Sequence, residues 1–216
     1  MLVCEDLLLL LTNDETGKKL AYGDELDLAL GGALLTDLTL AGHVRRTEPG
    51  EEVRKNRVVL DPEVPAPDHP LLREAYDRLG RRRSWSRQSA VRTLARGAMK
   101  RIYQQLVREE QVQRVAGRAM GIFPVTRYVP IETEHEKQLL AEIDAALLEG
   151  GQSTVATAAL VALLHALGKL VAVVDRGRGV DKRAVKAQAK TLMQQYWQAK
   201  AAYDAIQADR AGGATS

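Results

Sequence analysis

The sequence predicts a mainly α protein: a single globular domain in which amphipathic helices and short β-hairpins surround a buried, strongly apolar helix. Aromatic residues make up 4% of the 216 residues, with Phe123 the single Phe, so the core rests on Leu, Ala and Val. These residues suit helix packing better than an aromatic-rich sandwich. A content of 45% hydrophobic and 27% charged residues is that of an ordinary soluble domain. The segment from Val155 to Val174 is almost wholly apolar yet holds His165, Gly168 and Lys169. Charge near the middle of a span is costly in lipid, so this segment reads as a buried helix rather than a membrane crossing.

The elements follow in chain order. Leu2 to Thr12 is apolar and of a length that suits strand or helix, and Asn13 to Gly17 is a turn signal. From Asp24, a candidate N-cap, the positions Leu26, Leu28, Leu30, Ala33, Leu34 and Leu38 predict a helix that stops at Gly42. His43 to Thr47 and Arg57 to Leu60 flank a Pro-Gly loop and predict a surface hairpin. Asp61 to Pro70 holds four of the seven prolines and reads as a linker into a helix beginning near Leu71. Ser86 to about Glu109 predicts one amphipathic helix, apolar at Val91, Leu94, Ala98, Ile102 and Leu106, with Arg92, Arg96 and Lys100 four apart on another face. Val112 to Val115 and Ile122 to Val125, around a loop with Gly117 and Gly121, predict a second hairpin. Thr133 with Glu136 forms a capping box for a helix ending at Gly150. Ser153 or Thr154 starts the apolar helix, Asp175 to Gly179 breaks the chain, and Asp181 caps a final helix reaching Ala208. The domain is expected to span residues 1–210, with a disordered tail over 211–216.

Charge is segregated. The net charge is +3, but between Leu79 and Arg108 there are nine basic residues (Arg81, Arg82, Arg83, Arg87, Arg92, Arg96, Lys100, Arg101 and Arg108) and no acidic one. Such a block makes a local positive field suited to nucleic acid, an anionic membrane surface or a phosphorylated ligand. Only Trp85 and Tyr103 in the block can stack on bases, and no nucleic-acid motif accompanies it, so nucleic acid is the weaker partner. An anionic headgroup needs less: a few converging cations and an aromatic that enters the lipid interface.

Catalytic machinery is not visible. No Gly-x-Ser-x-Gly elbow, phosphate loop or dinucleotide fingerprint is present. His43, His69, His135 and His165 are far apart and none sits at metal-ligand spacing from a carboxylate, so neither metal nor cofactor is expected. The lone Cys4 excludes an intrachain disulfide, and the N-terminus lacks a basic signal-peptide region, which points to a cytoplasmic, reducing setting.

The order of segments resembles the Golgi phosphoprotein 3 family, in its bacterial, actinobacterial-like branch. The resemblance is carried by Glu5 to Gly17, by Leu28 to Leu38 with Leu40 to Val44, by Leu71 to Tyr76, by the basic helix ending at Leu106 and Val107, and by Leu163 to Ala166. It implies a buried helix bundle, a peripheral place at the inner face of a membrane (the Golgi only in a eukaryote), binding of phosphatidylinositol 4-phosphate, and no catalytic activity. Tyr22 stands where the family places a Trp, and Gly31 where it places an Arg. Of two arginines on the basic helix, Arg96 matches and the second aligns with Met99, beside Lys100 and Arg101.

These readings combine into one expectation: a non-enzymatic peripheral membrane protein that docks an anionic headgroup with Tyr22, Arg92, Arg96, Lys100 and Arg101. The rival readings are a nucleic-acid module using the same face and a protein-interaction adaptor with membrane-protein or enzyme cargo. The second hairpin, through Val112, Val115, Ile122, Phe123 and Val125, is expected to mediate self-association, because an open apolar edge finds another chain.

Overall fold

The computed structural model describes residues 1–13, 16–119, 123–131, 134–148, 153–175 and 177–213. The leucine-rich start forms a helix, α1 (Val3–Leu10), every residue of which is buried. Glu5 and Asp6, which interrupt the apolar run, lie in its first turn, where carboxylates favour the helix dipole. Its first free N–H groups are taken from outside. Asp37 accepts from Val3 N–H at 2.7 Å and from Cys4 N–H at 3.1 Å.

Asp37 belongs to α2 (Gly23–Leu40), which is buried almost all round from Leu26 to Leu38 and packs on α1. Tyr22, not Asp24, occupies the N-cap position, and Asp24 and Glu25 fill the first turn. Gly31 and Gly32 carry the central packing constraint. A Cβ on Gly31 would lie 2.4 Å from Val91 O, and one on Gly32 would lie 2.2 Å from the Ala202 Cβ. Two other helices therefore press on α2 at backbone distance from different sides.

β1 (Val44–Arg46) and β2 (Val58–Leu60) pair antiparallel, as expected, with Val44 opposite Leu60. The proline-rich segment then feeds α3 (Pro70–Leu79), with proline in its first turn. The single helix expected from Ser86 to Glu109 is instead two, α4 (Arg87–Ala95) and α5 (Ala98–Arg108). The break lies at Arg96, with ψ of 105°, and at Gly97, which is left-handed at φ 66°. The carbonyls it frees are satisfied by guanidinium groups. Arg96 O accepts from Arg78 Nη1 (2.9 Å) and Arg101 Nη1 (2.6 Å), and Leu94 O from Arg101 Nη2 (3.1 Å). Arg92, Arg96 and Lys100 consequently surround a corner rather than lining one continuous helix face.

The second hairpin is longer than expected. β3 (Val112–Ala119) and β4 (Phe123–Pro130) pair antiparallel from Val112–Pro130 to Ala119–Phe123, with Gly117 inside the ladder rather than in the loop. Ile122 lies outside the described residues, as does Thr133, the expected cap of α6 (Glu134–Leu148).

The apolar helix is capped at Thr154, whose Oγ1 accepts from Thr157 N–H, but it divides into α7 (Val155–Ala166) and α8 (Leu170–Asp175) at the left-handed Gly168. Asp181 caps α9 (Lys182–Gln195) through Arg183 and Ala184 N–H. Tyr196, in extended conformation, separates α9 from α10 (Trp197–Gly213), where one helix to Ala208 is expected. The first three residues of the expected tail thus belong to α10, and residues 214–216 lie outside the described residues. The core is continuous, running from α1 and α2 through α4 and α5 to α7 and α10.

Burial pushes the Asp37 carboxyl up to about 7, against the lowering effect of the Val3 and Cys4 N–H groups. Its unfolded value is about 4. Between these values the folded chain holds a proton that the unfolded chain has lost. The contribution of this group is therefore full below about pH 4 and declines as pH rises toward 7, with a slope approaching about 1.4 kcal/mol per pH unit. Urea unfolding across that range is expected to show this decline, and Asp37→Asn to flatten it.

Candidate functional site

The corner between α4 and α5 is built by arginines with two different duties. Arg101, expected to meet a headgroup, is committed inward: besides Arg96 O and Leu94 O, its Nε lies 3.4 Å from Glu74 Oε2, and its side chain is 16% exposed. Burial lowers its pKa. Glu74 also pairs with Arg78 at 2.8 Å, so one carboxylate bridges the two guanidinium groups that hold the bend. Arg92, Arg96 and Lys100 are exposed and, among the described residues, form no side-chain ion pair or hydrogen bond.

Next to this corner a cavity of about 210 Å³ is lined by Asp24, Asp27 and Leu28 of α2, by Arg92, Ala95 and Arg96, and by Asp209 of α10. Arg92 and Arg96, one turn apart, thus come together as expected, but they face three carboxylates. Asp27 has the strongest claim on the space. Burial raises its pKa against the lowering pull of the nearby Met99 N–H, Arg101 and Lys19.

On the other side stands the loop before α2. Tyr22 is 63% and Leu20 40% exposed, and Lys18 is exposed beside them. Lys19 Nζ lies 5.7 Å from the centre of the Tyr22 ring and 5.8 Å from that of Tyr103. The loop is anchored. Tyr103 stacks on Tyr128 at 4.2 Å, its hydroxyl lies 2.8 Å from Thr12 Oγ1, and Gly17, at φ 62°, sits so close to Tyr128 that a Cβ would lie 2.6 Å from its carbonyl oxygen. Lys18, Lys19 and Leu20 escaped sequence reasoning, although two lysines followed directly by Leu20, Ala21 and Tyr22 are a visible signal. Asp27 and Asp209 escaped it because only the packing of α2 and α10 on α4 brings them to the arginines.

The positions aligned with family arginines are explained by packing. Gly31 lies in the crossing of α2 and α4 with no room for a side chain, and Met99 is half-buried against the core. In the hairpin, Val112 is 2% exposed and belongs to the core, so it is not free to meet a second chain, whereas Val115 is 43% exposed. The side chains of Phe123 and Val125 lie outside the described residues, as Ile122 does.

These features define a mainly helical domain built around one central helix, with an unpaired cationic corner and an exposed aromatic loop. The chain belongs to the Golgi phosphoprotein 3 (GPP34) family, whose model matches residues 3–208. No curated protein matches it individually. Among the described residues, no helix is long and apolar enough to cross a membrane.

Because a Cβ at position 31 collides with main-chain atoms of α4, Gly31→Ala is expected to force the two helices apart and lower the thermal midpoint by about 3–10 °C. Gly80→Ala, where the nearest atoms stand at 3.5 Å, serves as the control and is expected to melt close to the parent. Differential scanning calorimetry of the two variants checks both.

Proposed function

We propose that this protein docks peripherally on the cytoplasmic face of a membrane, with Arg92, Arg96 and Lys100 meeting anionic lipid headgroups and Tyr22 and Leu20 entering the interface. The observation that carries this reading is a set of three exposed cations that form no ion pair, together with an exposed aromatic and leucine beside Lys18 and Lys19 in the loop that leads into α2, the helix whose Asp24 and Asp27 line one cavity with Arg92 and Arg96. Unpaired cations near an anionic surface are attracted by about 1 kcal/mol each, and an amphipathic ring adds apolar burial that salt does not screen. Arg101 supports the site by holding the bend, and the reading includes no catalytic step. Phosphatidylinositol 4-phosphate is the headgroup that family membership suggests. The three aspartates in the cavity oppose a tight phosphomonoester pocket, so attraction follows the membrane's total negative charge more than lipid identity.

Vesicle flotation tests this. Arg96→Glu with Lys100→Glu is expected to weaken binding at least tenfold while circular dichroism stays that of the parent. Binding is expected to fall steeply as salt rises, since the Debye length is about 8 Å at physiological ionic strength. It is also expected to be similar for phosphatidylinositol 4-phosphate and phosphatidylserine at equal surface charge. Unchanged flotation of the folded double variant rejects the reading. Equal or tighter binding to duplex DNA at matched salt favours the nucleic-acid alternative.

Asp27 provides a separate test. Its carboxyl titrates above the ordinary range, facing Asp24, Arg101, Lys19 and the Met99 N–H. Protonation removes a negative charge from the cavity. Affinity for phosphatidylserine vesicles is expected to rise as pH falls through the raised Asp27 value. Asp27→Asn is expected to bind more tightly at neutral pH and to lose most of that pH dependence, as measured by flotation across a pH series.

A further inference from the structure

We propose that Glu5, His69 and Glu109 form a binding site for a divalent transition cation of the zinc class where α1, α3 and α5 meet. One carboxylate oxygen from each glutamate and one imidazole nitrogen lie within 4.8 Å of one another. The residues come from the first turn of α1, from the position before α3 and from the C-cap of α5, so no sequence spacing announces them. Read one at a time, the four histidines show no metal-ligand pattern; folding supplies it at His69.

The cluster differs from an ordinary acidic patch in its burial and its orphaned atoms. Glu5 is 1% exposed. Its Oε2 accepts from Leu2 N–H at 2.9 Å, whereas its Oε1 is buried and has no hydrogen-bond partner. His69 Nδ1 is likewise buried without a partner, and Nε2 lies 3.6 Å from Glu109 Oε1. Gln105, itself buried, donates from Nε2 to Glu109 Oε1 at 2.7 Å and so orients that carboxylate, in the manner of the outer shell of a metal site. Among the described residues, neither glutamate pairs with Lys or Arg. A fully buried carboxylate oxygen without a hydrogen-bond partner, beside an imidazole nitrogen and a second carboxylate oxygen, is what coordination resolves.

The donor set selects the ion. One imidazole nitrogen with two carboxylate oxygens suits Zn²⁺ and its first-row neighbours, whereas Mg²⁺ and Ca²⁺ favour oxygen-only shells. Ligand atoms bound at about 2.0–2.2 Å to a common centre stand closer together than the present spread, a closure that side-chain rotation supplies. The His69 and Glu109 side chains, 30% and 34% exposed, leave an open side from which an ion enters and a water completes tetrahedral coordination.

Calorimetric titration of the full chain with ZnCl₂, and separately with MgCl₂, tests the site. One Zn²⁺ per chain is expected to bind with micromolar or tighter affinity, while Mg²⁺ shows no saturable binding at the same concentrations. His69→Asn and Glu109→Gln, on the partly exposed side, are each expected to weaken Zn²⁺ about tenfold or more with the helical circular dichroism intact. Glu5→Gln is expected to do the same, and because Glu5 is buried, those two outer variants decide the matter if it fails to fold. Co²⁺ added to the parent is expected to give visible d–d bands that His69→Asn lacks. Absence of saturable Zn²⁺ binding, or unchanged affinity in folded His69→Asn and Glu109→Gln, overturns the proposal and assigns any residual binding to the other histidines or Cys4.

Discussion

The fold turns on the absence of side chains at Gly31 and Gly32. With α2 reduced to bare backbone there, α4 presses on one side and α10 on another, each closer than a methyl group would permit. That approach decides where the end of α4 lies, and with it Arg92 and Arg96. It also carries Asp209 of α10 to the same cavity. The chemistry of the corner therefore follows from a packing constraint in the middle of the molecule, between uncharged residues.

A second constraint is electrostatic and lies at the start of the chain. α1 is wholly buried, so its free N–H groups have no water to bond, and Asp37 reaches them from α2. Asp6 meets His135 of α6 at 2.7 Å. Burial raises the pKa of Glu5, Asp6 and Asp37 alike. Carboxyl groups in the core thus serve as connectors between helices, replacing the water that a surface helix would use.

What the sequence made legible was local. Thr154 and Asp181 cap their helices through bonds that span only two or three residues, so Asp181 was readable as a cap and Thr154 as one of two candidate starts with Ser153. The first hairpin and the apolar helix were readable for the same reason: alternation and length are properties of a single segment. The breaks at Gly97, Gly168 and Tyr196 were hidden, because hydrophobic periodicity continues through each of them. At Gly97 the bend persists because Arg78 and Arg101 satisfy the carbonyls it frees, and Arg78 arrives from a different helix. The site divides along the same line. Arg92, Arg96, Lys100 and Tyr22 were visible as types in a basic block or beside a turn, whereas the inward commitment of Arg101, the acid lining of the cavity and the meeting of Glu5 with His69 and Glu109 depend on contacts between distant segments.

The guanidinium clamp at the α4–α5 bend separates architecture from chemistry. Arg78, Arg101 and Glu74 hold the bend through backbone carbonyls and one shared carboxylate, so the cations around it carry no folding duty. Arg92, Arg96 and Lys100 can be exchanged for acids, amides or aromatics while the scaffold beneath them keeps its shape. The corner is thus a mounting plate with interchangeable fittings: its recognition chemistry can be rewritten by surface substitution alone, and a designer can graft a different charge pattern there without repacking a single core residue.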